Sequence, residues 1–270
     1  MTNQFACLKR REQCQLRLFC FPHAGGTPFA YYSWPDHMPQ TVEIWVAQMA
    51  GRAARVGEAP SRTMAGIIDD FLPSLTALLD VPFAMFGHSL GAIVSFELAR
   101  LLEQRGVRPV TLFVSASRPP HLKAPEPVST REMSDEAFLR WLQELNGRPA
   151  EALDCLELMR FVLPAVRADF EVAESYQYLP SEPLDTQIVA LGGEADSHVS
   201  ALQIAEWKHL TGRHFTMKMF PGDHFYLNHS TLEVCRLITS ELSALQPAAM
   251  ETSTPLSPIE AGASYQKGSE

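Results

Sequence analysis

The stretch that most constrains the fold of this chain is residues 83–92, which reads FAMFGHSLGA. Its first half is a short apolar run typical of a buried strand, and residues 93–105 after it have the pattern of a helix. The Gly-x-Ser-x-Gly pattern between them is typical of a nucleophile elbow, a sharp strand-to-helix turn that exposes one serine hydroxyl. Because the strand and the helix are both present, we predict that Ser89 is a catalytic nucleophile.

Strands and helices alternate along most of the chain. Besides the run before the serine, apolar segments of strand length occupy residues 15–21, 42–49, 110–115, 186–191 and 215–220. Apolar residues at helical spacing occupy residues 63–79, 199–210 and 230–245. This alternation predicts an α/β fold with a mostly parallel central sheet, flanked by helices and joined by right-handed crossovers.

The alternation is interrupted between residues 118 and 180, where the sequence contains four early prolines and then amphipathic helices at 134–145 and 156–175. We expect the second helix to be interrupted near Pro164. A helical insertion between sheet strands is typical of a lid over an active site, although an ordinary structural excursion is the alternative. The predicted organisation is one domain over residues 1–245, with a core of 15–117 and 181–245 and a lid of 118–180.

Three terminal or loop segments are less regular. Residues 5–8 are either an edge strand or a loosely held arm, and the aromatic-rich residues 27–37 predict a short helix. Residues 246–270 are rich in proline, serine, threonine, alanine and glycine, which predicts a disordered C-terminal tail.

The charge and cysteine content of the chain indicate which kinds of binding partner and which cellular compartment to expect. The net charge of −9 argues against nucleic acid, because phosphate binding requires a basic face. The five cysteines are widely spaced without metal-ligand spacing, and no secretion signal or membrane-spanning run is evident. We therefore expect a cytoplasmic protein with free thiols, no membrane partner, no metal and, by default, a monomeric state.

A set of three chemically suited side chains follows the predicted strand ends. Ser89, Asp196 and His224 occur in that order, and ligands of open α/β sheets bind beyond the carboxyl ends of the strands. Histidine can take the proton of a serine hydroxyl near neutral pH, and a carboxylate can hold the imidazole in one tautomer. The order Ser, Asp, His is that of the α/β-hydrolase fold, so we predict this catalytic triad.

Each role has rival candidates. Glu194 and Asp223 compete with Asp196 for the carboxylate, although Asp223 adjoins the histidine in sequence and is awkwardly placed to orient it. Of the other histidines near the predicted site, His23 is placed to line the pocket and His229 fits a structural role. The side chain of His88 should project away from the neighbouring serine.

Backbone groups near the serine predict an oxyanion hole. One donor is the N–H of Leu90, which follows the nucleophile, and the second comes from the loop after the first long strand. We assign the second donor to Ala24, with Gly25 as the rival. The residues predicted to bind substrate are His23, Gly25, His88 and Phe225.

Five further sequence features are FPHAGG at 21–26, GR at 51–52, GHSLGA at 87–92, Trp207, and GDHFYL at 222–227. Together they resemble the type II thioesterases, the editing hydrolases of nonribosomal peptide and polyketide synthesis. The resemblance covers roughly residues 15–245 and departs at Ala50, where the family usually has proline.

The resemblance implies a substrate class and a partner. The substrates would be acyl or aminoacyl thioesters on the phosphopantetheine arm of an acyl or peptidyl carrier protein, with small thioesters such as acyl-CoA also possible. It implies a mobile lid at residues 118–180 and no cofactor. The alternatives are a small-ester carboxylesterase or lipase, an acyltransferase with the same triad, and a non-catalytic docking protein with a hydrolase fold.

Overall fold

The structure is a computed structural model that describes residues 3–122, 130–145 and 156–249 of the chain. The strands in these ranges are β1 (Phe5–Cys7), β2 (Leu16–Phe21), β3 (Val42–Ala47), β4 (Phe83–His88), β5 (Thr111–Ser115), β6 (Gln187–Gly193) and β7 (Phe215–Phe220). The α-helices are α1 (Met64–Thr76), α2 (Leu90–Gln104), α3 (Asp135–Leu145), α4 (Leu156–Ser175), α5 (Ala201–Ala205) and α6 (Thr231–Ala249).

All these strands belong to one sheet with the order β1-β3-β2-β4-β5-β6-β7. The edge strand β1 pairs antiparallel with β3, and every other pairing is parallel. Every residue of β2, β3, β4 and β5 is buried, as expected for parallel strands covered on both faces. The predicted mostly parallel sheet is confirmed, and residues 5–7 form the edge strand that was one of two alternatives.

The strand order reverses next to β2. The chain passes from β2 to β3 on one side, and then crosses to β4 on the other side. Such a switch point opens a crevice at the carboxyl ends of the two strands. The loop after β2 and the turn after β4 therefore meet at one place, which is where the predicted oxyanion loop and the predicted elbow lie.

Helices cover both faces of the sheet. On one face α1 and α2 bury side chains such as Phe71 and Phe96 together with Trp207. On the other face α6 buries Val234 and Ile238 against the strands, with aromatic residues from the segment after β2. This three-layer arrangement encloses the central strands and leaves their carboxyl ends as the accessible rim.

The insertion between β5 and β6 contains α3 and α4. Phe138, Leu139 and Leu163 form a small apolar cluster between the two helices, and Val172 joins the main core. The predicted interruption at Pro164 is wrong, because α4 continues through it from Leu156 to Ser175. Buried neighbours on either side, Leu163 and Ala165, supply packing that outweighs the lost backbone hydrogen bond.

Two other expected boundaries differ from the structure. The single helix expected at residues 27–37 is two short 3-10 turns, Pro28–Tyr31 and Trp34–Asp36, because Pro35 lacks the N–H needed to continue the first turn. Helix α6 extends to Ala249, beyond the expected start of the tail at residue 246. Residues 250–270 of the expected tail lie outside the described ranges.

The described cysteines Cys7, Cys14, Cys20 and Cys235 are free thiols. None of the helices in the described ranges has the length and apolar character needed to cross a membrane.

Trp207 contacts the segment that leads into the insertion and also packs in the core beside the sheet. Its buried indole Nε1–H donates to the carbonyl of Ser117 at 2.7 Å, and its ring packs edge-to-face on Phe96 at 5.4 Å. Trp207→Phe leaves that carbonyl without its donor and should lower the free energy of unfolding by about 2 kcal/mol in urea titrations. The control Leu202→Ala, at a side chain 82% exposed, should change it by less than about 0.5 kcal/mol. Equal losses in the two variants would contradict this role for the indole.

Candidate active site

The turn between β4 and α2 holds Ser89 in an uncommon backbone conformation, with φ 56° and ψ −119°. The positive φ is costly for a residue with a side chain and is found mainly where the surrounding structure enforces it. Here the first turn of α2 lies directly on the end of β2, so that a Cβ on Gly91 would lie 2.0 Å from the carbonyl oxygen of Phe21. The predicted elbow is present, and its geometry requires glycine at this contact.

Asp196 and His224 form a hydrogen-bonded pair at the carboxyl ends of β6 and β7. His224 Nδ1 lies 2.8 Å from Asp196 Oδ2, and the carboxylate is fully buried. The other oxygen, Oδ1, accepts hydrogen bonds from the backbone N–H groups of His198 at 2.8 Å and Val199 at 3.1 Å. This pairing assigns the proton of His224 to Nδ1 and leaves Nε2 as the acceptor nitrogen.

The carboxylate of Asp196 is held in its ionised form. Burial works to raise its pKa, but the hydrogen bond and charge of His224 and the two backbone donors outweigh burial, so the pKa lies below its ordinary value. A carboxylate that stays ionised can stabilise an imidazolium formed on its partner during a reaction.

The rival carboxylates are engaged elsewhere or exposed. Asp223 Oδ1 accepts a hydrogen bond from the N–H of Phe225 at 2.8 Å, and Glu194 is exposed. The loops carrying the pair are in close contact, since a Cβ on Gly193 would lie 2.2 Å from the carbonyl oxygen of Asp223. In the described ranges, the hydrogen-bonded carboxylate partner of His224 is Asp196.

Two further predicted residues, His23 and Phe225, flank the pair at the surface of the crevice. The His23 ring lies 5.1 Å from the Phe225 ring and 5.8 Å from the His88 ring, and the Phe225 ring lies 5.2 Å from that of His224. Burial lowers the pKa of His23 to about 4, with smaller contributions from the charges of His224 and Arg52. These rings form an uncharged wall beside His224 at neutral pH.

His88 lies beneath this wall and is fully buried. Its Nδ1 is hydrogen-bonded to Ser115 Oγ at 2.8 Å, which is in turn hydrogen-bonded to the Tyr226 hydroxyl at 2.6 Å. The His88 ring lies 5.4 Å from the His224 ring, and burial lowers its pKa well below the ordinary value. As predicted, the side chain projects away from the elbow. Ser115 and Tyr226 were not predicted as site residues, although a buried imidazole requires polar partners.

The loop after β2 presents one occupied and one available N–H group. The N–H of Gly25 donates to Asp169 Oδ2 at 2.7 Å, whereas in the described ranges the N–H of Ala24 has no protein acceptor. Leu90 is the first residue of α2, so its N–H has no acceptor within the helix. Two backbone donors are thus available at the switch point near Ser89.

Asp169 and Arg52 are site residues that the sequence analysis did not identify as such. They form a bidentate ion pair with both nitrogen–oxygen distances at 2.6 Å, between a loop after β3 and helix α4. Arg52 belongs to the GR motif at residues 51–52. This motif was a signal that the Arg52 guanidinium has a fixed partner. Nothing in the sequence marks which carboxylate, 117 positions away, supplies it.

The fold and the site together define a class of protein. A mostly parallel sheet, an elbow serine at its switch point and a buried Asp–His pair at the same edge are the architecture of serine hydrolases with the α/β-hydrolase fold. The thioesterase domain family matches residues 16–242. The chain therefore belongs to the thioesterase family and is a thioester hydrolase.

Similar proteins include two curated relatives and a solved structure. Gramicidin S biosynthesis protein GrsT of Aneurinibacillus migulanus is 39% identical over 232 residues, which cover 84% of this chain and 89% of GrsT. Thioesterase PikA5 of Streptomyces venezuelae is 36% identical over 252 residues, which cover 92% of this chain and 89% of PikA5. The type II thioesterase BorB from the borrelidin biosynthetic cluster superposes with a TM-score of 0.81 at 32% identity, covering 88% of this chain and 97% of BorB.

The lowered pKa of His23 predicts a loss of stability in weak acid. The pKa is about 4 in the folded protein and about 6.5 for an ordinary histidine, so between these values the unfolded chain binds a proton that the folded chain does not. Through this group the free energy of unfolding should fall by up to about 1.4 kcal/mol per pH unit as the pH drops from about 6.5 to about 4.

Urea titrations of the wild type and of His23→Phe between pH 7 and pH 4.5 measure this contribution. The variant should lose stability less steeply, with a remaining slope to which His88 contributes in the same direction. Parallel curves for the two proteins would show that His23 binds protons equally in both states.

Proposed function

We propose that this chain is an editing thioesterase that releases acyl or aminoacyl groups from the phosphopantetheine arm of a carrier protein. The observation that carries the proposal is the Asp196–His224 pair at the sheet edge next to the elbow of Ser89. Family membership supplies the reaction, and the relatives are named from peptide and polyketide biosynthesis: gramicidin S for GrsT and borrelidin for BorB. Release of a stalled acyl group would return the free thiol of the carrier.

In the proposed acylation step, His224 Nε2 takes the proton of the Ser89 hydroxyl as Oγ attacks the thioester carbonyl carbon. The buried Asp196 carboxylate stabilises the imidazolium and keeps the ring oriented. The tetrahedral intermediate then breaks its carbon–sulfur bond. The thiolate leaves with the proton from the imidazolium, and an acyl-serine remains.

The proposed oxyanion hole consists of the N–H groups of Leu90 and Ala24. The carbonyl oxygen gains negative charge in the tetrahedral intermediate, and within the described part of the chain both groups are backbone donors without a protein acceptor. The occupied N–H of Gly25 favours Ala24 over its rival as the donor and gives Gly25 a supporting place in the loop. The positive end of the α2 dipole at Leu90 adds to the same stabilisation.

Deacylation uses the same groups with water in place of the thiol. His224 Nε2 takes a proton from a water molecule as the oxygen of that water attacks the acyl-serine carbonyl carbon. The second tetrahedral intermediate then releases the carboxylic acid and restores the Ser89 hydroxyl.

None of these steps requires a cofactor or a metal ion, because a thiolate is a good leaving group. In the described ranges, no group of three or more His, Cys, Asp or Glu side chains is arranged to hold a metal ion.

The acyl chain would lie against the wall formed by His23 and Phe225, which lines the crevice beside His224. His88, which is buried beneath this wall, would support it. We propose that residues 118–180 act as the lid of a single hydrolase domain over residues 1–245, because α3 and α4 are the helices inserted between β5 and β6. The proposed form is a cytoplasmic monomer, with acyl-CoA as a second substrate because it carries the same phosphopantetheine thioester.

The nucleophile is tested with Ser89→Ala. This variant should lower kcat for hydrolysis of an acyl thioester on a carrier protein by at least about 10⁴-fold, because the covalent step is lost. The matched control is Ser95→Ala on the same helix, where the hydroxyl donates to the carbonyl of Ala92, and it should keep kcat within about threefold. Full turnover by Ser89→Ala would eliminate the assignment.

The substrate class is tested by comparing leaving groups. The wild type should have a kcat/KM at least about tenfold higher on an acyl group attached to the carrier arm than on the ethyl ester of the same acid, since the arm contributes binding energy. Equal or higher values on the oxygen ester would favour a carboxylesterase. Binding of the carrier without turnover of either substrate would favour a docking protein.

A further inference from the structure

Helix α4 of the insertion places a buried carboxylate at the oxyanion loop. The Asp169 side chain is 3% exposed, and both of its oxygens are bound by the Arg52 guanidinium, itself 4% exposed. The geometry is bidentate, with Nη1 to Oδ2 and Nη2 to Oδ1 both at 2.6 Å. Such a pair fixes the position and the orientation of the carboxylate.

The same carboxylate binds the loop that supplies the proposed oxyanion donor. Asp169 Oδ2 also accepts the hydrogen bond from the N–H of Gly25 at 2.7 Å. Gly25 shares a peptide bond with Ala24, and its own φ is +78°. Fixing the Gly25 N–H therefore fixes the peptide plane next to Ala24, which restricts where the Ala24 N–H can point.

Packing places this turn of α4 against both loops. A Cβ on Gly25 would lie 3.2 Å from Val166 Cγ2, and a Cβ on Gly51 would lie 3.1 Å from Ala165 Cβ. The loop after β2 that carries Ala24 and Gly25 is the oxyanion loop, and the loop after β3 that carries Gly51 and Arg52 is the arginine loop. Because Ala165, Val166 and Asp169 lie within about one helical turn, one face of α4 contacts both loops.

The ion pair also resolves an electrostatic conflict. A lone carboxylate beside an oxyanion hole would oppose the negative charge that develops there. The bidentate Arg52 neutralises Asp169 while leaving Oδ2 able to accept from Gly25. The loop thus gains a strong acceptor without net negative charge.

We propose that Asp169 is a positioning residue for catalysis, which orients the Ala24 N–H through the Gly25 N–H. The inference rests on the proposed function of Ala24 as an oxyanion donor. It makes one turn of α4 part of the catalytic structure. The oxyanion loop keeps this conformation only while that turn is docked, so movement of α4 and stabilisation of the oxyanion are coupled.

Two substitutions at one position separate positioning from ion pairing. Asp169→Ala removes the acceptor of Gly25, whereas Asp169→Asn keeps an oxygen where Oδ2 lies, and both remove the charge. Asp169→Ala should lower kcat for thioester hydrolysis by about 10²-fold with KM changed by less than about threefold, because a displaced donor affects the transition state most. Asp169→Asn should recover activity to within about tenfold of the wild type.

A boronic acid provides a readout that a purely structural role would not change. The Ser89 oxygen bonds to the boron of an alkyl boronic acid, and the boron becomes a tetrahedral anion with one of its oxygens in the oxyanion hole. Its inhibition constant should rise in Asp169→Ala by about the same factor as kcat falls, and should rise little in Asp169→Asn. Equal losses in the two variants, or an unchanged inhibition constant in Asp169→Ala, would overturn the proposal.

Two further variants keep the test decisive. If Asp169→Ala does not fold with Arg52 unpaired, Arg52→Met with Asp169→Ala removes both charges and should show the same loss of boronic acid affinity. Glu171→Gln removes a charge from the same helix, where Glu171 pairs with Arg62 and Arg131, and should leave kcat within about twofold. Because the boronic acid requires only the serine and the hole, this readout decides the role of Asp169 even if carrier-bound thioesters are not hydrolysed.

Discussion

The site depends on the close contact between the first turn of α2 and the end of β2. At the switch point of the sheet, the helix approaches the strand so closely that a Cβ on Gly91 would overlap the carbonyl oxygen of Phe21. This contact holds Ser89 at a positive φ and brings the start of α2 beside the loop that carries Ala24. The packing of the fold consequently positions Ser89 and the proposed oxyanion donors before any substrate binds.

The crevice combines one ionised carboxylate, Asp196, with neighbouring histidines that are neutral at pH 7. Asp196 stays charged because His224 and two backbone N–H groups compensate its burial. In the described ranges neither the half-buried His23 nor the buried His88 has a carboxylate partner. Loss of hydration lowers the pKa of both side chains, so they are neutral at pH 7. These rings lie within about 6 Å of one another, and of the three His224 is the one hydrogen-bonded to a carboxylate in the described ranges.

The insertion contributes side chains to the structure around the proposed site. Its helix α4 contacts the arginine loop and the oxyanion loop through Asp169 and Ala165, while its other helix, α3, packs mainly on α4. An inserted helix without such contacts could move more freely. In this protein, movement of α4 would leave Arg52 as an unpaired buried charge, which is costly, and this cost favours the docked state.

The sequence by itself determined the sheet, the elbow and the order of Ser89, Asp196 and His224 along the chain, because these follow from local periodicity and turn chemistry. The sequence predicted less well how Pro164 and Pro35 affect the helices around them, since burial decides whether a helix continues through a proline. Only the tertiary structure decided that Asp196 rather than Glu194 pairs with His224, and that Asp169 joins Arg52 and Gly25. Those pairings join residues far apart in the chain. The positions of the packed helices and loops decide which of several similar carboxylates reaches each partner.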